Sequence, residues 1–208
     1  VYDANLLKLI QMQQFWNERY QENEHVYGEA PNAFFKSFID PLQPGTLLLP
    51  AEGEGRNAIY AASRGWVVEA FDYSEVAREK ALKRAAAKGV SIRYDLQDIS
   101  LFKASKQYDM VALLYVHLPE PLRHNFHTAI YKSVKPGGYL LLEAFAKEQQ
   151  GFDSGGPKDP SLLYDAPSIC SDFPFLHQLS CEQKEVILDE GPFHQGKAAV
   201  LRLAGQRL

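Results

Sequence analysis

With 208 residues and an apolar fraction of 46%, the chain is long enough for one domain with a sizeable core. A net charge of -4 argues against a nucleic-acid partner, and the single basic run, Arg78, Lys80, Lys83, Arg84 and Lys88, reads as a solvated helix face. Cys170 and Cys181 make neither a metal nor a redox spacing, no apolar run is long enough to span a bilayer, and no signal-peptide pattern opens the chain. A cytoplasmic protein with reduced thiols is therefore expected.

Residues 4–20 read as a helix, with Leu6, Leu7, Ile10, Met12, Phe15 and Trp16 on a partly periodic apolar stripe. Pro31 opens a second short helix through Phe38. A loop from Asp40 to Gly45 leads into an apolar strand at Leu47–Leu49, a glycine turn over 51–55, and a helix carrying Ala58, Ile59, Ala61 and Ala62. The run from Trp66 to Phe71 is a second strand, ending at Asp72. Ser74 is placed to cap a helix from Glu75 to Lys88 that Gly89 ends. Val90–Tyr94 is a third strand running into Asp95–Asp98, and Tyr108–Val116 is a buried fourth. A helix from Pro119 to Val134 presents Leu122, Phe126, Ile130 and Val134 on one face and is stopped by Lys135-Pro136-Gly137-Gly138. Tyr139–Phe145 is the fifth strand. After a loop over 147–165 and a short helix at Ala166–Phe173, two extended segments, 176–189 and 197–203, are joined so briefly that they must pair antiparallel. The pattern is α/β, a mostly parallel sheet closed by one antiparallel hairpin.

The chemistry gathers at the glycine turn. Gly53 and Gly55 let the backbone bend tightly and approach a ligand, and the helix behind them presents free N–H groups. Asp72, at the end of the second strand, is placed to accept both hydroxyls of a ribose. Gly53-x-Gly55-x-x-Ala58 also fits a dinucleotide pattern, so an NAD(P)-dependent oxidoreductase competes with a methyltransferase. Three features favour S-adenosylmethionine. The acidic turn Glu52-Gly53-Glu54 suits a sulfonium and an amino group better than a pyrophosphate. Asp95-Leu96-Gln97-Asp98 offers acceptors to an adenine amino group. The hairpin ending replaces the second mononucleotide half of a dinucleotide fold.

Glu52-Gly53-Glu54-Gly55-Arg56-Asn57-Ala58, Phe71-Asp72-Tyr73-Ser74, Asp95-Leu96-Gln97-Asp98 and Val134-Lys135-Pro136-Gly137-Gly138 occur in the order seen in class I S-adenosylmethionine-dependent methyltransferases. The chain most resembles their tellurite-resistance and thiopurine methyltransferase branch. Trp16-Asn17-Glu18-Arg19-Tyr20 with Tyr27-Gly28 resembles that branch's N-terminal lid. Gly155-Gly156-Pro157 and Glu190-Gly191-x-x-His194-x-Gly196 resemble late motifs of its bacterial members. The resemblance implies a Rossmann-like doubly wound sheet of about seven strands in the order 3-2-1-4-5-7-6, with helices on both faces. It implies one domain over 1–208, with a helical lid at 1–40, a cofactor-binding core at 45–145, and a substrate loop and terminal hairpin at 146–208. Two departures stand out. Leu49 replaces the family's acidic residue and Ala51 its glycine, with Pro50 between them; a weakened or non-catalytic cofactor site is the alternative that these raise.

The cofactor-binding residues implied are Arg19, Ala51, Glu52, Gly53, Gly55, Asn57, Asp72, Tyr73, Ser74, Asp95, Asp98 and Leu114. Arg19 would meet the cofactor's carboxylate unless it pairs with Glu18, Glu22 or Glu24. Trp16 would cover the cofactor or pack in the core. Methyl transfer from a sulfonium needs no metal, and a base helps only where the acceptor must lose a proton. His194 and His117 are the candidates, with Tyr115 and Glu143 lining the same side and residues 149–165 selecting the substrate. The expected partner is a small-molecule methyl acceptor, with no membrane, in a monomer or homodimer.

Overall fold

The computed structural model describes residues 4–208, with side chains from residue 12 onward. Helix α1 (Ala4–Gln21) matches the expected first helix, although Leu6, Leu7 and Ile10 of its apolar stripe lie outside the described side chains. Helix α2 (Ala33–Ile39) is capped by Asn32, whose side chain accepts from the Phe35 N–H.

Five parallel strands follow in alternation with helices: β1 (Thr46–Pro50), α3 (Arg56–Ser63), β2 (Val67–Asp72), α4 (Glu75–Ala87), β3 (Arg93–Leu96), β4 (Tyr108–Leu114), α5 (Glu120–Lys132) and β5 (Val134–Phe145). Helix α6 (Ala166–Asp172), β6 (Leu176–Asp189) and β7 (Gln195–Arg207) complete the chain. The sheet order is β3-β2-β1-β4-β5-β7-β6, and β7 is antiparallel to both its neighbours. Strand β6 therefore runs parallel to β1–β5, and its C-terminal end lies on the same side of the sheet as theirs. Successive residues of each central strand face opposite layers. Leu48, Val111, Leu113, Leu140 and Leu142 pack with Phe126, Ile130, Ile169 and Phe173 of α5, α6 and the residue after it. Leu47, Leu49, Met110, Ala112 and Leu141 pack with Phe35, Ile39, Ile59 and Ala81 of α2, α3 and α4.

Several boundaries differ from the sequence reading; α2 starts at Ala33 behind its Asn32 cap, not at Pro31, and β7 runs beyond the expected 197–203 at both ends. Strand β3 begins at Arg93 because Val90 is spent on ending α4: its N–H donates to the Ala85 carbonyl, and Gly89 donates to Ala86 with φ +70°, a Schellman closure. Helix α5 stops at Lys132, and Val134 joins β5 opposite Tyr108, with Lys135–Gly138 an irregularity inside the strand. Strand β4 ends at Leu114, since Tyr115 turns to φ +57°. The 147–165 segment holds 3-10 turns at Lys147–Gly151 and Pro160–Leu162. Among the described residues, no helix is long and apolar enough to cross a membrane.

Candidate active site

The glycine turn leaves the C-terminal end of β1, the side on which open α/β sheets bind ligands. Three of its residues lie in the left-handed region: Ala51 at φ +50°, Gly53 at +62° and Gly55 at +79°. Gly55 caps α3 but has no side chain to do so, and Glu52 reaches forward in its place. One Glu52 oxygen accepts from the backbone N–H of Asn57 and Ala58, both at 2.8 Å, and the other accepts from the Asn57 amide at 3.2 Å. Burial pushes the Glu52 carboxyl up to about 7, against the pull of these donors. The side chains of Glu52 and Asn57 are thus committed to α3.

Asp72 ends β2 beside the turn. Its carboxylate accepts from the N–H of Gly53 at 3.1 Å and of Ser74 at 2.9 Å, and burial raises it to about 6. The Tyr94 hydroxyl donates to the Gly53 carbonyl at 2.6 Å. Ser74 caps α4 through the Ala77 N–H. Tyr73 stands half-buried next to it, its phenol raised by burial. Asp98 caps the 3-10 turn Ile99–Leu101 by accepting from Ser100 at 2.7 Å. Asp95 is exposed and pairs with Arg93 at 3.0 Å, so the structure does not bring it to the turn by any hydrogen bond. Leu114, half-buried, packs at the end of β4.

Helix α1 lies across this end of the sheet. Gln13 donates to the Tyr73 carbonyl at 2.8 Å, and the Ser74 hydroxyl donates to Asn17 at 2.6 Å. Tyr20, buried and stacked on Trp16, brings its hydroxyl to within 2.6 Å of where a Cβ on Gly53 would stand. The segment after α1 is tied down by Glu54, which accepts from Val26 at 2.8 Å and pairs with Lys80 at 2.9 Å; Lys80 in turn donates to the carbonyls of Tyr20, Asn23 and Glu24. Arg19 pairs with Glu22 at 3.3 Å and stacks over Phe193 at 4.1 Å. Tyr20 had no role in the sequence reading beyond ending the quoted lid motif, and Lys80, read there as part of a solvated helix face, is instead committed to the buried Glu54.

A second wall rises from the far strands. Asn32 donates to Glu143 on β5 at 2.5 Å and to Glu190 at 3.1 Å, while its N–H donates to Asn57 at 2.8 Å. Arg202 on β7 pairs with the other oxygen of Glu143, and Arg56 pairs with Glu190 at 2.8 Å. Burial would raise Glu190, but His194 and Arg56 beside it prevail and hold it at about 2. Asn32, Arg56 and Arg202 were missed as a connected group, because 25 to 158 residues separate the partners. His194 sits in the turn between β6 and β7, ringed by Tyr27, Tyr115 and Phe145. Its Nδ1 stands 3.5 Å from Glu190, and burial lowers its pKa. That nitrogen and the Tyr115 hydroxyl are both buried without a hydrogen-bond partner among the described residues. His117 differs. Its Nδ1 meets the Leu162 carbonyl at 2.7 Å, its Nε2 accepts from the Phe145 N–H at 3.3 Å, and burial lowers it to about 4.

The comparisons with known proteins fall on this region. Residues 50–138 match the family described as methyltransferase domain. Hemagglutinin 1 of Eikenella corrodens is 27% identical over 92 residues, which are 43% of this chain and 31% of that protein. TehB from Haemophilus influenzae superposes with a TM-score of 0.73 at 16% identity, over 86% of this chain and 63% of TehB. The chain thus spans less than two thirds of either. The 1,6-didemethyltoxoflavin-N1-methyltransferase of Burkholderia thailandensis, solved with its substrate and S-adenosylhomocysteine, superposes with a TM-score of 0.73 at 14% identity, over 100% of this chain and 92% of that enzyme. The fold is that of class I S-adenosylmethionine-dependent methyltransferases, and residues 50–138 match the methyltransferase domain family. The turn that would meet such a cofactor carries Gly53 beneath the Tyr20 hydroxyl and Gly55 against Ala81, with the buried Asp72 carboxyl beside them at the strand ends.

Proposed function

We propose that the protein transfers a methyl group from S-adenosylmethionine to a small-molecule nucleophile. The observation that carries this reading is the junction of Gly53 and Asp72 at the ends of β1 and β2, roofed by α1. When bound, the cofactor supplies a methyl already activated by a sulfonium. The work left to the protein is alignment and exclusion of water.

In this reading the backbone of Ala51–Gly55 cradles the methionine part and Asp72 accepts the ribose hydroxyls. Tyr73 and Ser74 flank the adenine. Asp98 accepts from its amino group in preference to Asp95, which already pairs with Arg93. Arg19 is not assigned to the cofactor's carboxylate, since it pairs with Glu22 and stacks on Phe193. The acceptor side is the wall of Tyr115, Glu143 and His194. His194 is the candidate proton acceptor: burial keeps its imidazole neutral at physiological pH, and Glu190 beside it stabilises the charged form once a proton arrives. His117 is not assigned that role, since backbone groups occupy both its nitrogens. The loop over 149–165 approaches the same wall, Gly155 lying against Phe193 and His194, and is the candidate selector of substrate.

Calorimetric titration with S-adenosylmethionine, S-adenosylhomocysteine and NADH tests the reading. Saturable micromolar binding of the first two, abolished by Asp72→Ala, is expected. Binding of NADH alone, or of none of the three, overturns it.

A further inference from the structure

Cys170 on α6 and Cys181 on β6 are 11 residues apart in the chain, and their sulfurs lie 2.9 Å from each other. Both are half-buried free thiols on the outer hairpin side of the sheet. Helix α6, which carries Cys170, is pinned at both ends. The Ala166 N–H donates to the Gln183 side chain at 2.8 Å, and Asp172 accepts from Arg123 and His127, each at 2.8 Å. These anchors fix Cys170 against β6 whether or not the sulfurs bond.

We propose that Cys170 and Cys181 form a reversible disulfide that staples α6 to β6 when the protein meets a low-molecular-weight disulfide oxidant. A Cys170 thiolate attacks one sulfur of the oxidant and expels the other as a thiolate. The Cys181 thiolate then attacks the mixed disulfide at the Cys170 sulfur and releases the second. The protein loses two protons and two electrons, and the oxidant leaves as two thiols. Burial pushes the Cys181 thiol up to about 12, which makes it the second and slower partner, so closure quickens as pH rises. The staple closes a short loop and restrains the helix that immediately follows the 147–165 segment.

The test uses the full chain with oxidised glutathione, then dithiothreitol, followed by intact mass, alkylation of free thiols and peptide mapping. The expected oxidised product is a monomer lighter by about 2 Da, with both cysteines refractory to alkylation and joined in one peptide. Its thermal midpoint rises by about 6–10 °C, and dithiothreitol reverses all of this. Cys181→Ser is expected to stop at a glutathione adduct on Cys170. Retention of two alkylatable thiols, or stable glutathione adducts on the wild-type protein without ring closure, overturns the proposal. Mapping the unmutated chain keeps the test decisive even where the variant folds poorly.

Discussion

The Gly53 N–H donates to the Asp72 carboxylate at 3.1 Å, so the turn after β1 and the acid that ends β2 form one unit. Burial lifts Asp72 from its ordinary 3.8 to about 6. A carboxyl whose native pKa exceeds its unfolded one favours folding when protonated. Its stabilising contribution is complete below about pH 4 and is lost as the pH rises through 6. Asp72→Asn should therefore gain stability over the wild type as pH climbs from 4 to 7, by about 3 kcal/mol at most. Urea unfolding of both proteins across that range measures it. The ionised form is the one that accepts hydroxyls, so wild-type affinity for S-adenosylhomocysteine should rise over the same interval and stay flat in Asp72→Asn.

Ala51 holds φ +50°, in the left-handed region that favours glycine. A left-handed alanine costs about 1–2 kcal/mol, part of which glycine returns through its freer unfolded chain. Ala51→Gly should stabilise the protein by about 1 kcal/mol, read as a midpoint rise of about 2–4 °C by calorimetry. No rise, or a fall, would show that the turn has adapted to alanine.

Lys80 neutralises Glu54, whose side chain is 3% exposed, and holds three carbonyls of the chain after α1. Lys80→Met leaves a buried carboxylate with only the Val26 and Tyr27 N–H groups. The expected loss is about 2–3 kcal/mol, less than for a fully enclosed pair because Lys80 is partly exposed. Hydrogen exchange should locate the loosening in residues 20–27 ahead of the sheet.

Asn32 caps α2 and donates to Glu143 and Glu190. Asn32→Ala removes a cap and leaves the buried Glu143 and the partly buried Glu190 each short of a donor, about 2–4 kcal/mol in all. Asn32→Asp retains the cap yet sets a third carboxylate against the other two. Chemical denaturation should rank it below Asn32→Ala; the reverse order would mean that capping outweighs the carboxylate contacts.

Much of the fold was legible because it is written locally. The apolar run of β1, the start of β4, the Ser74 cap and the brief join before β7 each depend on neighbouring residues, and each stands where the pattern put it. Val134 was assigned to α5 because its apolar side chain continues the helical stripe; pairing with Tyr108 decides otherwise, and that pairing is not local. The glycine turn and Asp72 were visible as motif residues. The wall joining Asn32, Glu143, Glu190 and Arg202 was not, since it exists only once β5, β7 and the start of α2 meet. The approach of Cys170 to Cys181 was hidden for the same reason: a helix and a strand bring together a spacing that signals nothing.

The tip between β6 and β7 meets the chain near Gly28 backbone to backbone, and a Cβ on Gly191 would stand 2.4 Å from the Gly28 nitrogen. Hairpin tips are ordinarily where a protein tolerates extra residues. This one is wedged between residues 26–28 and Gly155 of the 147–165 segment, and it cannot lengthen without prising them away. Lengthening this chain by insertion is therefore opposed at the place most folds allow it.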